Sequence, residues 1–446
     1  MKVKLKEKLF LVIILLVSLS CSEKKEQINK SELELKMNQI AENYVKLVLE
    51  IGLYRPEYVD AYYGPKEWKP DAKSKRDIDS ILITSLNKKA DDLLNKLDEL
   101  SEYSATEIET LRYRFLYKQL LSIKGMIAII SGAELTFEKE AQILYDADPP
   151  KLEKEHFVEI LKKLDGIVPG EGNLTHRYNS FKDQFTIPKE KLDSAFNIAM
   201  KECRQRTIEY ISLPQDEKFN VEYVNDKPWG AYNWFKGNLT SVIQVNTDLP
   251  ITIDRIIGLS AHEGYPGHHL FNSLLEQKLV KDRGWIEYSV YPLYSPISLI
   301  AEGTANFSEK LIFPGSSKIK FMKNVLFPLA GLDTSLTEKY QKVIELVDQL
   351  NYAGNEAARN YLDGNWERSE TLSFLMEYAL HSRERAEKKI DFIEFYRSYI
   401  INYNYGFDLV TKFIEQNGGT EDDLRRRWEL FEQLLTTPQT PSGLLD

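Results

Sequence analysis

The stretch AHEGYPGHHLF, residues 261–271, carries His262, Glu263, Pro266, Gly267, His268 and His269. Three of the chain's six histidines therefore fall within eight positions. Neutral imidazole nitrogens and carboxylate oxygens are donors that zinc favours, and a catalytic zinc keeps one position open for water. On a regular helix a His-Glu-x-x-His run works because residues i and i+4 share a face. Here Pro266 takes the i+4 place and His268 follows six residues after His262. On an unbroken helix those two rings diverge by about 240°, at roughly 100° per residue.

Pro266 changes that geometry. It has no N–H for the carbonyl of His262, its ring clashes with the preceding turn, and it biases Tyr265 away from helical angles. Gly267 can then take backbone angles closed to other residues. A bulge absorbing two residues would bring His268 back to His262 and leave Glu263 beside the metal, placed to deprotonate water. His269 competes with His268 for the ligand role. The alternative is that Pro266-Gly267 ends one helix and the histidines cap the next.

A third ligand has to come from another element, and Glu302 in SLIAEGTANFSEK, 34 residues beyond His268, is the candidate. It lies in an apolar helical run, where an unpaired carboxylate is costly to bury. Asn306, one turn on, shares its face and could steady a metal-bound imidazole. The competing reading is a helix-start glutamate facing solvent. Two histidines and one glutamate leave a divalent site at +1, which favours ionised water.

These residues resemble the bacterial domain-of-unknown-function family 885, whose signature is H-E-x-x-P-G-H-H with a downstream E-G segment. The resemblance spans most of residues 31–446. It implies a zincin-like metallopeptidase domain akin to the H-E-x-x-H metallopeptidases, one zinc per chain on His262, His268 and Glu302, and Glu263 as general base. Two departures stand out: Thr304-Ala305-Asn306 follows the E-G pair where a tryptophan is common, and the C-terminal segment reads RSYIINYNYGFDLV.

Acyl transfer also needs donors for the oxyanion. Arg397, Tyr399, Tyr403 and Tyr405 lie together near the C-terminus, and Tyr403 with Arg397 is the pair chosen here, against plain aromatic packing. The strand LTSVIQV just before the motif offers an edge for an extended peptide, with Tyr232, Asn233 and Asn238 lining the cleft, unless that strand is fully paired in its own sheet. His381 reads as a surface or capping residue; His156 and His176 receive no role.

The elements that must position these groups are mainly α. A Ser31–Glu34 capping box opens a helix to Leu53, and a second box, Ser104–Glu107, opens one to about Ile130. Helical periodicity recurs over 76–100, 136–147, 151–165 and 188–212, broken by Pro149-Pro150, Pro169 and Pro188. Asn220–Val224 and Asn238–Val245, flanking NDKPWG, read as strands of a small β element. Helices resume at Thr252 and run to Leu435. No linker divides the chain, so residues 31–446 read as one two-lobed domain, 31–215 helical and 216–446 carrying the sheet, the motif and the C-terminal helices.

Composition is that of an ordinary soluble globular protein with length for a large core: 446 residues, 43% hydrophobic, 28% charged, 11% aromatic. Residues 1–20 combine Lys2, Lys4, Lys6 and Lys8 with an apolar run too short to span a bilayer, an export leader. It ends at Ser18-Leu19-Ser20-Cys21, similar to a bacterial lipoprotein processing site, so Cys21 is the expected lipid anchor, with simple cleavage as the alternative; residues 21–30 form a polar tether. Removing residues 1–20 takes away four Lys and one Glu, moving the net charge from −10 to −13. Nucleic acid is excluded as a partner because phosphate contacts need clustered cations. With Cys21 lipidated, Cys203 has no disulfide partner. The expected protein is exported to the cell envelope and hydrolyses short peptides. A non-catalytic envelope binder and a zinc amidase or esterase are the competing readings.

Overall fold

The computed structural model describes residues 30–75, 77–101 and 106–445. The leader, Cys21 and all of the tether but Lys30 lie outside them. Among the described residues no helix is long and apolar enough to cross a membrane.

The chain is mainly helical. Helices α1 (Lys30–Gly52), α2 (Ser80–Asp98), α3 (Glu107–Ile130), α4 (Phe137–Tyr145), α5 (Lys154–Asp165), α6 (Leu174–Asp183) and α7 (Lys189–Ile208) occupy the first half, with one short strand, β1 (Val59–Tyr62). The helix start expected at Ser31 is already under way at Lys30. The second capping box is real but two residues later: Thr106 caps α3, and the Glu109 carboxylate accepts the Thr106 N–H at 2.8 Å. Helix α6 escaped the sequence reading because it is short and polar, opened by the Asn173 side chain accepting the His176 N–H.

Three strands follow: β2 (Lys218–Val224), β3 (Ala231–Gly237) and β4 (Thr240–Asn246), in the order β2-β4-β3. β3 and β4 form an antiparallel hairpin, and β2 runs parallel to β4. Two sequence expectations fail here. LTSVIQV is the central strand, paired on both sides, so its edge is closed. Asn238 is not in a strand: with Leu239 it forms the hairpin's two-residue turn, at φ 51° and 57°. That is the backbone of a tight hairpin connection. Its N–H donates to Glu276 Oε1 at 3.0 Å.

Helices α8 (Ile253–Leu259) and α9 (His268–Leu275) carry the motif, and strand β5 (Val290–Pro292) pairs with β1. Then come α10 (Pro296–Ile312), α11 (Ser317–Phe321), α12 (Phe327–Ala330), α13 (Thr337–Asp348), α14 (Ala353–Leu362), α15 (Arg368–Tyr378), α16 (Arg383–Tyr396), α17 (Ile401–Gln416) and α18 (Leu424–Thr436). One continuous apolar cluster joins residues from Met37 to Leu444. Buried polar links cross it: the Arg112 guanidinium of α3 grips both oxygens of Glu287, at 2.6 and 3.0 Å.

Helix α10 is buried almost along its whole length and lies against α17. Gly303 and Gly406 allow that approach. A β-carbon on Gly303 would stand 2.4 Å from the Gly406 carbonyl oxygen, so the two backbones touch where any side chain would separate them. The glycine after Glu302 thus serves packing, and it brings the tyrosines before and within α17 onto Glu302.

Candidate metal centre

The motif folds as the chemistry of Pro266 requires. Helix α8 continues into a wider π turn over Ser260–Gly264, where the Tyr265 N–H reaches back to the Ser260 carbonyl at 3.3 Å. Tyr265 is extended, the Tyr265–Pro266 peptide is cis, and the Gly267 N–H returns to the Ala261 carbonyl at 3.0 Å before α9 begins. The bulge therefore absorbs the two extra residues. Gly267 takes the unusual angles expected of it, φ −73° with ψ −142°, outside both the helical and the extended ranges. A β-carbon there would lie 1.9 Å from the His262 carbonyl oxygen, so closeness and not handedness demands glycine.

Across this bulge His262 and His268 meet, with Nε2 atoms 3.1 Å apart. Glu302 arrives from α10, its Oε2 3.2 Å from His262 Nε2 and its Oε1 3.7 Å from His268 Nε2. These donor atoms all lie within 4.8 Å of one another, a spacing that one cation could bridge. Glu302 is 6% exposed and sits inside its helix, so the solvent-facing reading fails. Its Oε2 is buried and has no hydrogen-bond partner.

Neighbours fix how these groups point. The Asn306 amide donates through Nδ2 to the Tyr403 carbonyl at 2.7 Å, which leaves Oδ1 facing His262 Nδ1 at 3.0 Å. An acceptor there requires Nδ1–H, so His262 presents the Nε2 lone pair to the centre. Tyr399 donates its hydroxyl to Glu302 Oε1 at 2.7 Å, a contact the sequence reading missed when it chose Arg397. Asp60 of β1, also missed, lines the same cavity and holds the Tyr232 hydroxyl.

Glu263 lies beside the cluster, 4% exposed, with Oε2 free of partners. Burial lifts its pKa above the usual carboxylate range, against the pull of His262 and His268. Burial also works against charge on His268, but Glu302 outweighs it and carries the imidazole up to about 9. Glu302 is held well below its ordinary value despite burial, chiefly by His268 and His262.

His269 does something else. It is wholly buried, its Nε2 2.8 Å from Glu217 Oε2 and its Nδ1 2.9 Å from Ser241 Oγ. Both ring nitrogens are engaged away from the centre, so His268 is the histidine that faces Glu302.

The other candidates divide. A cavity of about 1110 Å³ opens over the cluster, lined by Tyr232, Asn233 and Tyr403 as well as Tyr291, Tyr396 and Tyr399. Tyr403 lies against His262, ring centroids 6.5 Å apart, and Asn233 Nδ2 donates to the Glu263 carbonyl at 2.8 Å. Arg397 is not among the lining residues: its Nε donates to Glu140 Oε2 at 2.7 Å, and the same carboxylate takes Ser398 N–H and Oγ. That guanidinium clamps a turn with φ 54° instead of facing substrate. His381 is half-buried at the end of α15, its backbone N–H returning to the Leu375 carbonyl at 3.3 Å as the capping reading has it, and burial pushes its pKa down to about 3.

No family model matches the sequence, and no curated protein matches it. Among solved structures it is similar to the putative lipoprotein from Colwellia psychrerythraea, at 13% identity and TM-score 0.52, over 81% of this chain and 68% of that one. It also matches a carboxypeptidase from Pyrococcus furiosus at 12% identity and TM-score 0.43, over 94% and 95% of the two chains. At such identities the likeness concerns the fold, and of these two only the Colwellia protein is near enough to share it.

Proposed function

We propose that the chain is a zinc-dependent hydrolase of peptide bonds in short peptides, exported to the cell envelope and anchored through Cys21. The observation that carries the reading is the convergence of His262, His268 and Glu302 on one point, with Glu263 beside it. The donor set suits zinc: a neutral imidazole with its tautomer set by Asn306, a second imidazole, and a carboxylate whose Oε2 is buried without a partner. The resemblance of HEGYPGHH to family 885 is carried by these same residues and points the same way.

Bound zinc supplies a Lewis acid that polarises the scissile carbonyl and makes water acidic. Glu263 takes the proton from the attacking water and returns it to the leaving amine, a task served by a carboxyl whose pKa is raised. Tyr403 donates to the developing oxyanion; burial keeps its phenol protonated well above neutrality. Asn306 and Tyr399 hold His262 and Glu302 in place. Strand β3, paired on one side only, offers Tyr232 and Asn233 along the cavity wall, where an extended substrate would align.

The test is metal quantification followed by a peptide-library digest read by mass spectrometry. The expected result is one zinc per chain and discrete cuts in short peptides. Glu263→Gln is expected to keep the zinc and lose turnover by about 10²–10⁴-fold. Full activity in that variant, or protein without stoichiometric zinc, overturns the reading.

A further inference from the structure

Four cationic side chains line the cavity above the cluster: Arg255, Lys310, Lys318 and Lys389. Lys310 and Lys318 have carboxylate partners, Glu415 at 3.6 Å and Glu309 at 2.5 Å. Arg255 and Lys389 have no ion pair among the described residues. Arg255 comes two helical turns before His262 on the strip of α8 that also sends Gly258 and Leu259 to the cavity. Its Nη2 lies against Gly230, 3.0 Å from where a β-carbon would stand. Its charge bears on both Glu263 and Tyr403.

Lys389 reaches the same wall from α16, its Nζ 4.9 Å from the Phe392 ring centroid. Burial first, then the Arg255 charge, push the ammonium down to about 8. Lys388, one residue before Lys389, reaches Asp248 at 3.5 Å, and the Asn246 N–H donates to the Gly230 carbonyl at 2.9 Å, so α16 runs past the same turn that Arg255 touches. Two cations placed there repel unless an anion sits between them. Elsewhere the wall is rich in carboxylates, Asp60, Asp254, Glu309 and Asp348 among them. Away from the metal centre, Arg255 and Lys389 are therefore the lining cations left to receive an anionic group of a bound ligand.

We propose that Arg255 and Lys389 together receive a carboxylate of the substrate, next to Glu263 and Tyr403, and select peptides with a free carboxylate near the cleaved bond. The inference rests on the hydrolase reading for its substrate class, but binding tests it separately from turnover. The carboxylate is either the peptide's C-terminus or an acidic side chain.

The experiment measures peptide affinity by calorimetry in zinc-loaded Glu263→Gln protein, where peptides stay intact. One matched pair differs as free acid against C-terminal amide; a second, amidated pair differs as Glu against Gln. At least one pair is expected to favour the carboxylate by about tenfold or more, the scale of hydrogen bonds to a charged group. Which pair responds identifies the source. Adding Arg255→Gln and Lys389→Met together is expected to bring that ratio close to one. The charge-keeping pair Arg255→Lys and Lys389→Arg is expected to retain most of it, which separates loss of charge from misfolding. Equal affinity within both pairs, no binding of any peptide, or a ratio that survives the Gln/Met double substitution overturns the proposal. Discrimination in binding without cleavage by the unsubstituted protein would instead strike the hydrolase reading and leave the subsite standing.

Discussion

Two imidazole–carboxylate clusters grow from the same short segment, one on each side of the α9 start. On one side His262 and His268 meet Glu302, and a buried carboxylate oxygen has no partner. On the other, His269 is closed between Glu217 and Ser241, and Glu217 also takes the Tyr265 hydroxyl and Arg204 at 2.9 Å. Burial works to raise the Glu217 pKa, but hydrogen bonds from His269, Tyr265 and Arg204 keep it below its ordinary value. Residue type does not separate the clusters. What separates them is valence: the first turns its remaining lone pairs toward one point at a cavity floor, and the second engages both nitrogens of His269 and both oxygens of Glu217 within the protein.

The sharpest way to break this contrast is to remove each of the adjacent histidines in turn. His268→Ala is expected to leave less than about a tenth of an equivalent of zinc, since one of three ligands is gone. His269→Ala is expected to keep the metal and lose about 3 kcal/mol of stability, because Glu217 is left buried without its main partner. Elemental analysis and urea unfolding read the two effects. Zinc lost equally from both variants would erase the distinction.

Gly267→Ala comes next. With 1.9 Å available to a β-carbon, the bulge must open, and the two Nε2 atoms part. Destabilisation of about 1–3 kcal/mol, with weaker zinc binding, is expected in the same titrations. Unchanged zinc affinity would show that the bulge does not set the ligand spacing.

Smaller effects probe the supports on the open side. Tyr399→Phe and Asn306→Ala each remove a hydrogen bond that orients a ligand. Each is expected to lower zinc affinity by about 10–100-fold in a chelator competition, with the fold intact by circular dichroism. On the closed side Arg204 is 48% exposed at its side chain. Arg204→Ala is accordingly expected to cost no more than about 1 kcal/mol and to leave zinc binding unaltered.

Much of the centre was legible from local rules. Pro266 withholds an N–H and distorts the turn, and that alone predicts a bulge between His262 and His268. Glu302 in an apolar run needed a partner. The same rules failed where the deciding contact was distant in sequence. Arg397 looked available beside Tyr399 and Tyr403, but Glu140, 257 residues away, holds it. Asn238 looked like a strand residue because Val and Ile follow it, yet the Ala231–Gly237 strand claims it for a turn. Asp60, on a four-residue strand far from the motif, gave no local signal.

By itself the sequence determined what is local and covalent: a helical chain, a proline-interrupted His-Glu…Gly-His motif, and a glutamate beside the first histidine. Backbone sterics act over a few residues, so they can be read from a few residues. Only the tertiary structure decided which of two adjacent histidines faces the cavity, that Tyr399 braces Glu302, and that Arg255 and Lys389 share one wall. Those outcomes depend on elements far apart in the chain meeting, above all Gly303 and Gly406, 103 residues apart, and close approach of that kind is a property of packing.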